Sequence, residues 1–150
     1  MNLKQCSETE REHQGTITIL YSQVNEKEQK VTIAARLILT VTIIVISWQA
    51  TIQNGIEPPP VMNGDKILHF LAFGTLALLV DFAFPRNRFG AVKIIILILY
   101  GLAIEIVQSW LPYRSASAAD LLTDILGIGT YALFIPLLKR LQIYRGYWKA

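Results

Sequence analysis

Four long apolar stretches constrain this chain more than anything else in it. Residues 31–50, 67–84, 91–111 and 121–138 are each 18 to 21 residues long and carry few charges. As helices they would be about 27–32 Å long at 1.5 Å per residue, the thickness of a bilayer core. A soluble helix shows a polar face recurring every 3.6 residues, and "KIIILILYGLAI" at 93–104 shows none. This argues against a soluble bundle of buried helices. The expected fold is all-α and integral to a membrane, with four transmembrane helices.

The formal net charge is +3 and the isoelectric point about 9.1, so the placement of the cations decides what they mean. With a cytoplasmic N-terminus, four spans return the C-terminus to the same side. That side then holds Lys27, Lys30, Arg36, Arg86, Arg88, Lys93, Lys139, Arg140, Arg145 and Lys149, while the other holds Lys66 and Arg114. This asymmetry is the positive-inside pattern. It puts both termini in the cytoplasm and removes nucleic acid as a partner. Trp48 and Trp110 fall at the far interface, and Tyr144, Tyr147 and Trp148 at the near one, as aromatic belts do. The first 30 residues lack the apolar core and cleavage site of a signal peptide, so span one is expected to be an uncleaved anchor. Cys6, the sole cysteine, lies on the reducing side and allows no disulfide within the chain.

Residues 1–30 read as a polar, flexible cytoplasmic tail with five glutamates, in which "TITILYSQV" at 16–24 alternates weakly and suggests a short extended piece. "QNGIEPPPVMNGDK" at 53–66 is a stiff non-helical loop, and "PRNRFG" at 85–90 is a tight turn. In "PYRSASAAD" at 112–120, Asp120 is placed to cap span four. Residues 139–150 form a basic, aromatic tail suited to lying on the inner leaflet. Arg36 and Lys93 are expected to snorkel to the inner surface, and Asp81 to pair with a neighbour such as Lys93 or Arg36.

Ionisable side chains within hydrocarbon are costly and need partners or a wet cavity. Asp65 and Lys66 open span two, with His69 one turn further in. Glu105 and Gln108 lie in the outer half of span three. Arg114, Ser115, Ser117 and Asp120 flank the outer loop, and Asp124 is one turn into span four. All fall at the extracytoplasmic end. At 100° per residue His69 shares a face with Asp65 and Lys66, Gly101 with Glu105 and Gln108, and Asp120 with Asp124, Gly127 and Tyr131. The glycines let helices approach so that polar side chains can bond between them. The simplest arrangement is one polar pocket facing outward.

"DKILHF" at 65–70 and "GLAIEIVQSWLPYRSASAADLLTDILGIG" at 101–129 resemble the VanZ-like family. Its Asp-Lys-x-x-His-Phe, Gly-x-x-x-Glu-x-x-Gln, Pro-x-Arg and Ser-x-x-Asp segments fall on Asp65, Lys66, His69, Phe70, Gly101, Glu105, Gln108, Pro112, Arg114, Ser117 and Asp120, with a further glycine at Gly127. The sequence departs at Asp124, where the family often has Asn, and at Tyr113, where Gly often precedes the arginine. The resemblance implies a bacterial inner-membrane protein of the cell envelope, in a family named for a member linked to teicoplanin resistance. It brings no established reaction.

The polar set admits several readings. The leading one is a pocket for an anionic envelope lipid or lipid-linked cell-wall precursor. Its ligand-binding residues are Asp65, Lys66, His69, Glu105, Gln108, Arg114, Ser117, Asp120 and Asp124. Lys66 and Arg114 would contact the anion. The second is a hydrolase or transferase acting on a lipid phosphate, with His69, Glu105 or Asp120 as catalytic candidates; no familiar nucleophile motif accompanies them. The third is a structural membrane module serving a partner protein, in which Glu105 pairs with Arg114 or Lys66 to clamp the helices. His69, Glu105, Asp120 and Asp124 offer metal-ligand types, but a lone membrane histidine beside two cations argues against a metal, and neither metal nor other cofactor is expected. Membrane lipids are the expected partners, and a homo-oligomer is compatible with the sequence. A transporter fits poorly, because the polar set stops halfway across.

Overall fold

The structure, a computed structural model, describes residues 3–53, 64–114, 116–138 and 140, with the backbone alone for 3–13 and 16–21. The regular elements among them are four helices: α1 (Leu3–Thr51), α2 (Gly64–Ala83), α3 (Ala91–Ser109) and α4 (Ala118–Leu138). Each contains a stretch long and apolar enough to cross a membrane, in α1 the part Ser22–Thr51. The prolines of the 54–63 loop, Ser115 and nearly all of the basic C-terminal tail lie outside the described residues.

The boundaries differ from the sequence reading in instructive ways. α1 runs back to Leu3, so the extended piece expected at 16–24 is helix. Glu, Gln and Lys are good helix formers, and Glu26 and Lys30 pair at 2.8 Å one turn apart; such local terms outweigh a weak alternation. α2 and α4 each begin three residues earlier than expected. Asp65 and Asp120 therefore sit inside the first turns of their helices, where the helix dipole favours an acid. The capping oxygen of α4 is Ser117 Oγ, which accepts the Ala119 N–H at 3.2 Å, and not Asp120 as the sequence suggested.

α2 is the centre of the bundle and packs against α1, α3 and α4. Phe73, Leu76 and Ala77 of α2 meet Leu97 and Ile104 of α3, Ile128 and Tyr131 of α4, and Ala35 and Leu39 of α1. Gly127 makes the close α2–α4 crossing possible: a Cβ there would stand 2.4 Å from the Phe70 carbonyl oxygen. The outside of the bundle carries exposed Leu37, Val41, Ile44, Ile96, Leu99, Leu126 and Leu133. An apolar surface on every helix is the surface of a protein solvated by lipid.

Asp81, Lys93 and Tyr131 tie together the end of the bundle where α2 finishes. Lys93 Nζ donates to Asp81 Oδ1 at 2.7 Å and to the carbonyls of Phe84 and Asn87 at 3.0 and 2.7 Å. The Tyr131 hydroxyl donates to Asp81 Oδ2 at 2.8 Å. Asp81 was expected to find a cation, and Lys93 is that cation. Lys93 itself does not snorkel; it is only 6% exposed, because its three donors find three oxygens nearby. Arg36 donates from Nε to the Ala83 carbonyl at 3.0 Å and lies over the Phe84 ring.

Candidate functional site

At the opposite end, α1 and α3 finish where α2 and α4 begin. The C-terminal carbonyls of α1 are orphaned and carry negative partial charge. Arg114, just beyond α3, answers them: one of its terminal nitrogens donates to the Gln49 and Ile52 carbonyls, both at 2.8 Å. Gln108 Nε2 reaches the Ala50 carbonyl at 3.2 Å and the Tyr113 hydroxyl the Thr51 carbonyl at 2.8 Å. Three side chains from the α3–α4 side thus hold the end of α1. This role was not legible in the sequence, because backbone acceptors carry no residue signature. Gln49 itself lines the site and was missed for the same reason.

The start of α4 is organised by Glu105. Its Oε2 accepts the Ser117 N–H at 2.8 Å, a charge-assisted bond at a helix N-terminus. Its Oε1 is buried and has no hydrogen-bond partner. The pairing of Glu105 with Lys66 or Arg114 allowed by the sequence does not occur. Lys66 Nζ instead lies 3.0 Å from Asp65 Oδ2 and 3.2 Å from Asp120 Oδ1. Ser117 contributes its backbone N–H to Glu105 and its hydroxyl to the helix cap.

His69 faces Asp124. His69 Nδ1 lies 2.9 Å from Asp124 Oδ1, an arrangement in which the ring N–H donates to the carboxylate and Nε2 is left for another partner. Asp124 is fully buried, and its Oδ2 has no hydrogen-bond partner. That oxygen occupies space left by a missing side chain: a Cβ on Gly101 would lie 2.7 Å from it. The shared stripe of Gly101, Glu105 and Gln108 is therefore buried as expected, and its glycine makes room for the acid on α4. His69, Glu105 and Asp120 come together tightly enough that one N or O atom from each lies within 4.8 Å of the others.

Beside this cluster a cavity of about 310 Å³ opens between α1, α2 and α3. Gln49, Asp65, His69, Gln108 and Arg114 form its polar end, and Val45, Ile46, Leu68, Ala72, Phe73 and Ile104 its apolar wall. Of the nine residues singled out from the sequence, Asp65, His69, Gln108 and Arg114 line the cavity. Glu105, Asp120 and Asp124 lie behind His69, and Lys66 and Ser117 hold the acids. Among the described residues, four carboxylates against two cations give this end a formal charge of −2 with His69 neutral.

Fold and site together define a multi-pass, four-helix membrane protein with an acid-rich cluster and an amphipathic cavity at one end of the bundle. Residues 14–139 match the family described as VanZ/LLP1, and the chain belongs to that family. The match extends well beyond the 65–129 segment that carried the resemblance in the sequence. A 92-residue stretch is 35% identical to the uncharacterized protein C11E3.10 of Schizosaccharomyces pombe, covering 57% of this chain and 56% of that protein. The match thus spans little more than half the length of this relative. No solved structure matches the chain significantly.

Proposed function

We propose that the protein binds the anionic head group of a membrane amphiphile in the cavity between α1, α2 and α3. The observation that carries this reading is the cavity's polarity gradient. Its polar residues gather at the helix ends, at head-group depth, and its apolar wall continues two turns inward along α2 from Asp65 to Phe73. A lipid fits that order, since head and tail meet matching surroundings. Arg114 lines the polar end, and its Nε is buried without a partner, a cationic donor suited to a phosphate oxygen. With the termini in the cytoplasm, the cavity faces the extracytoplasmic side. In a bacterial inner membrane the ligand is an envelope phospholipid or a lipid-linked cell-wall precursor, and binding the latter would alter teicoplanin susceptibility. The yeast relative favours the more general lipid ligand.

Native mass spectrometry of the purified chain, supplemented with phosphatidylglycerol, tests the reading. Ala72→Phe fills the apolar wall without touching a polar group, and it should abolish the retained lipid at an unchanged melting temperature. Equal retention in Ala72→Phe would sink the pocket reading. The His69–Asp124 pair favours a second reading, turnover of a phosphate ester with His69 as acid or base. In that case Glu105→Gln should keep the lipid and lose the product.

A further inference from the structure

A buried carboxylate oxygen without a partner is expensive, and structures retain one only where something else answers it. The cluster behind His69 holds two that no cation reaches, Glu105 Oε1 and Asp124 Oδ2, and a third, Asp120 Oδ1, that accepts no hydrogen bond and has the Lys66 ammonium 3.2 Å away. Glu105 is 7% exposed and Asp124 is 0% exposed. Lys66 cannot answer them all, because its ammonium is already shared between Asp65 and Asp120. Arg114 is turned to the α1 carbonyls.

We infer that His69, Glu105 and Asp120 bind one divalent first-row metal ion, with Asp124 orienting His69. The ligand types are one imidazole and two carboxylates, a set that suits Zn²⁺ or Mn²⁺ and is poor for the softer thiophilic ions. Their atoms already lie within 4.8 Å of one another, and ligand bonds of about 2.0–2.2 Å would draw them modestly closer. The buried Glu105 Oε1 with no hydrogen-bond partner separates this from a chance cluster of acids, and the His69–Asp124 bond is in keeping with it. A metal-bound histidine characteristically gives its other ring nitrogen to a carboxylate, which fixes the tautomer and aims the free nitrogen. Here Nδ1 is held at 2.9 Å, and Nε2 remains for the metal. The formal charge of −2 that the described residues carry here suits a divalent cation.

The Lys66 ammonium competes for Asp120, which yields a test of unusual sign. The full-length protein in mild detergent is stripped with EDTA and then equilibrated with Zn²⁺ or, separately, Mn²⁺. Metal content is read by mass spectrometry and affinity by competition with a chromophoric chelator. The wild type should hold about one ion per chain. Asp124→Asn should weaken binding by about 10–100-fold, the range known for orienting partners of metal ligands, and Glu105→Gln or Asp120→Asn, which remove a ligand itself, by at least as much. Lys66→Met should tighten it, because it frees Asp120; a simple anion site would respond the opposite way. Melting in EDTA shows which variants are folded, and Lys66→Met decides the matter if an acid variant is not. Substoichiometric metal in the wild type, unchanged affinity in Glu105→Gln, or weaker binding in Lys66→Met would overturn the inference. The probe is metal alone, so the result stands apart from the lipid pocket: Ala72→Phe should lose lipid and keep metal.

Discussion

Where α2 ends, one aspartate meets one lysine, and their donors and acceptors are matched. The three Lys93 donors meet Asp81, Phe84 and Asn87, and the second Asp81 oxygen meets Tyr131. Where α2 begins, four carboxylates among the described residues meet two cations, three buried carboxylate oxygens accept no hydrogen bond, and a cavity opens alongside. Both clusters are buried polar groups in the same four helices. The difference teaches what each is for. A saturated, neutral cluster fixes the helices and leaves no valence for a ligand. An unsaturated, charged one is tolerable only if a ligand or ion completes it.

The comparison breaks most visibly at the saturated end. Asp81→Asn leaves the Lys93 ammonium buried without its counter-charge and should lower stability by about 3–5 kcal/mol. Replacing both, as Asp81→Leu with Lys93→Met, should recover most of that loss, because the cost lies in the unpaired charge. Denaturant unfolding in one detergent checks both. Next in size is Gly127→Ala, whose Cβ would meet the Phe70 carbonyl. The α2 and α4 backbones must part, at about 1–3 kcal/mol, and the loss should be the same whether or not metal is present.

The spans were legible because lipid demands apolar length, and the site because ionisable residues at one depth on three helices are hard to explain otherwise. What escaped the sequence escaped for physical reasons. Lys93 is the third residue of the expected span 91–111, and only the fold shows three oxygens closing on its ammonium. Arg114 looked like an anion clamp, yet two of its bonds go to Gln49 and Ile52 carbonyls, acceptors every residue possesses. Glu105 looked like half of a salt bridge, and its partner is the backbone N–H of Ser117. The sequence reading set a metal aside because of a lone membrane histidine and two nearby cations, and it could not pair His69 with Asp124, because that bond spans 55 positions of sequence.

Smaller effects sharpen the contrast. Arg114→Lys keeps the charge but not the guanidinium geometry, and should cost about 1–2 kcal/mol through the loosened end of α1. A protease-accessibility assay at the α1–α2 loop reads that loosening directly. Glu26→Gln breaks only the exposed pair with Lys30 and should leave the melting temperature unchanged within error.

The most direct test sets Asp81→Asn beside Glu105→Gln, both unfolded in the same detergent with EDTA present. Each variant removes one negative charge from a buried carboxyl and keeps its shape. The account predicts a loss of about 3–5 kcal/mol for Asp81→Asn, and for Glu105→Gln no loss or a gain, since its amide oxygen can still accept from Ser117 and one of four crowded acids is gone. A Glu105→Gln protein as destabilised as Asp81→Asn would contradict it, and would make the two ends of the bundle the same kind of structural clamp.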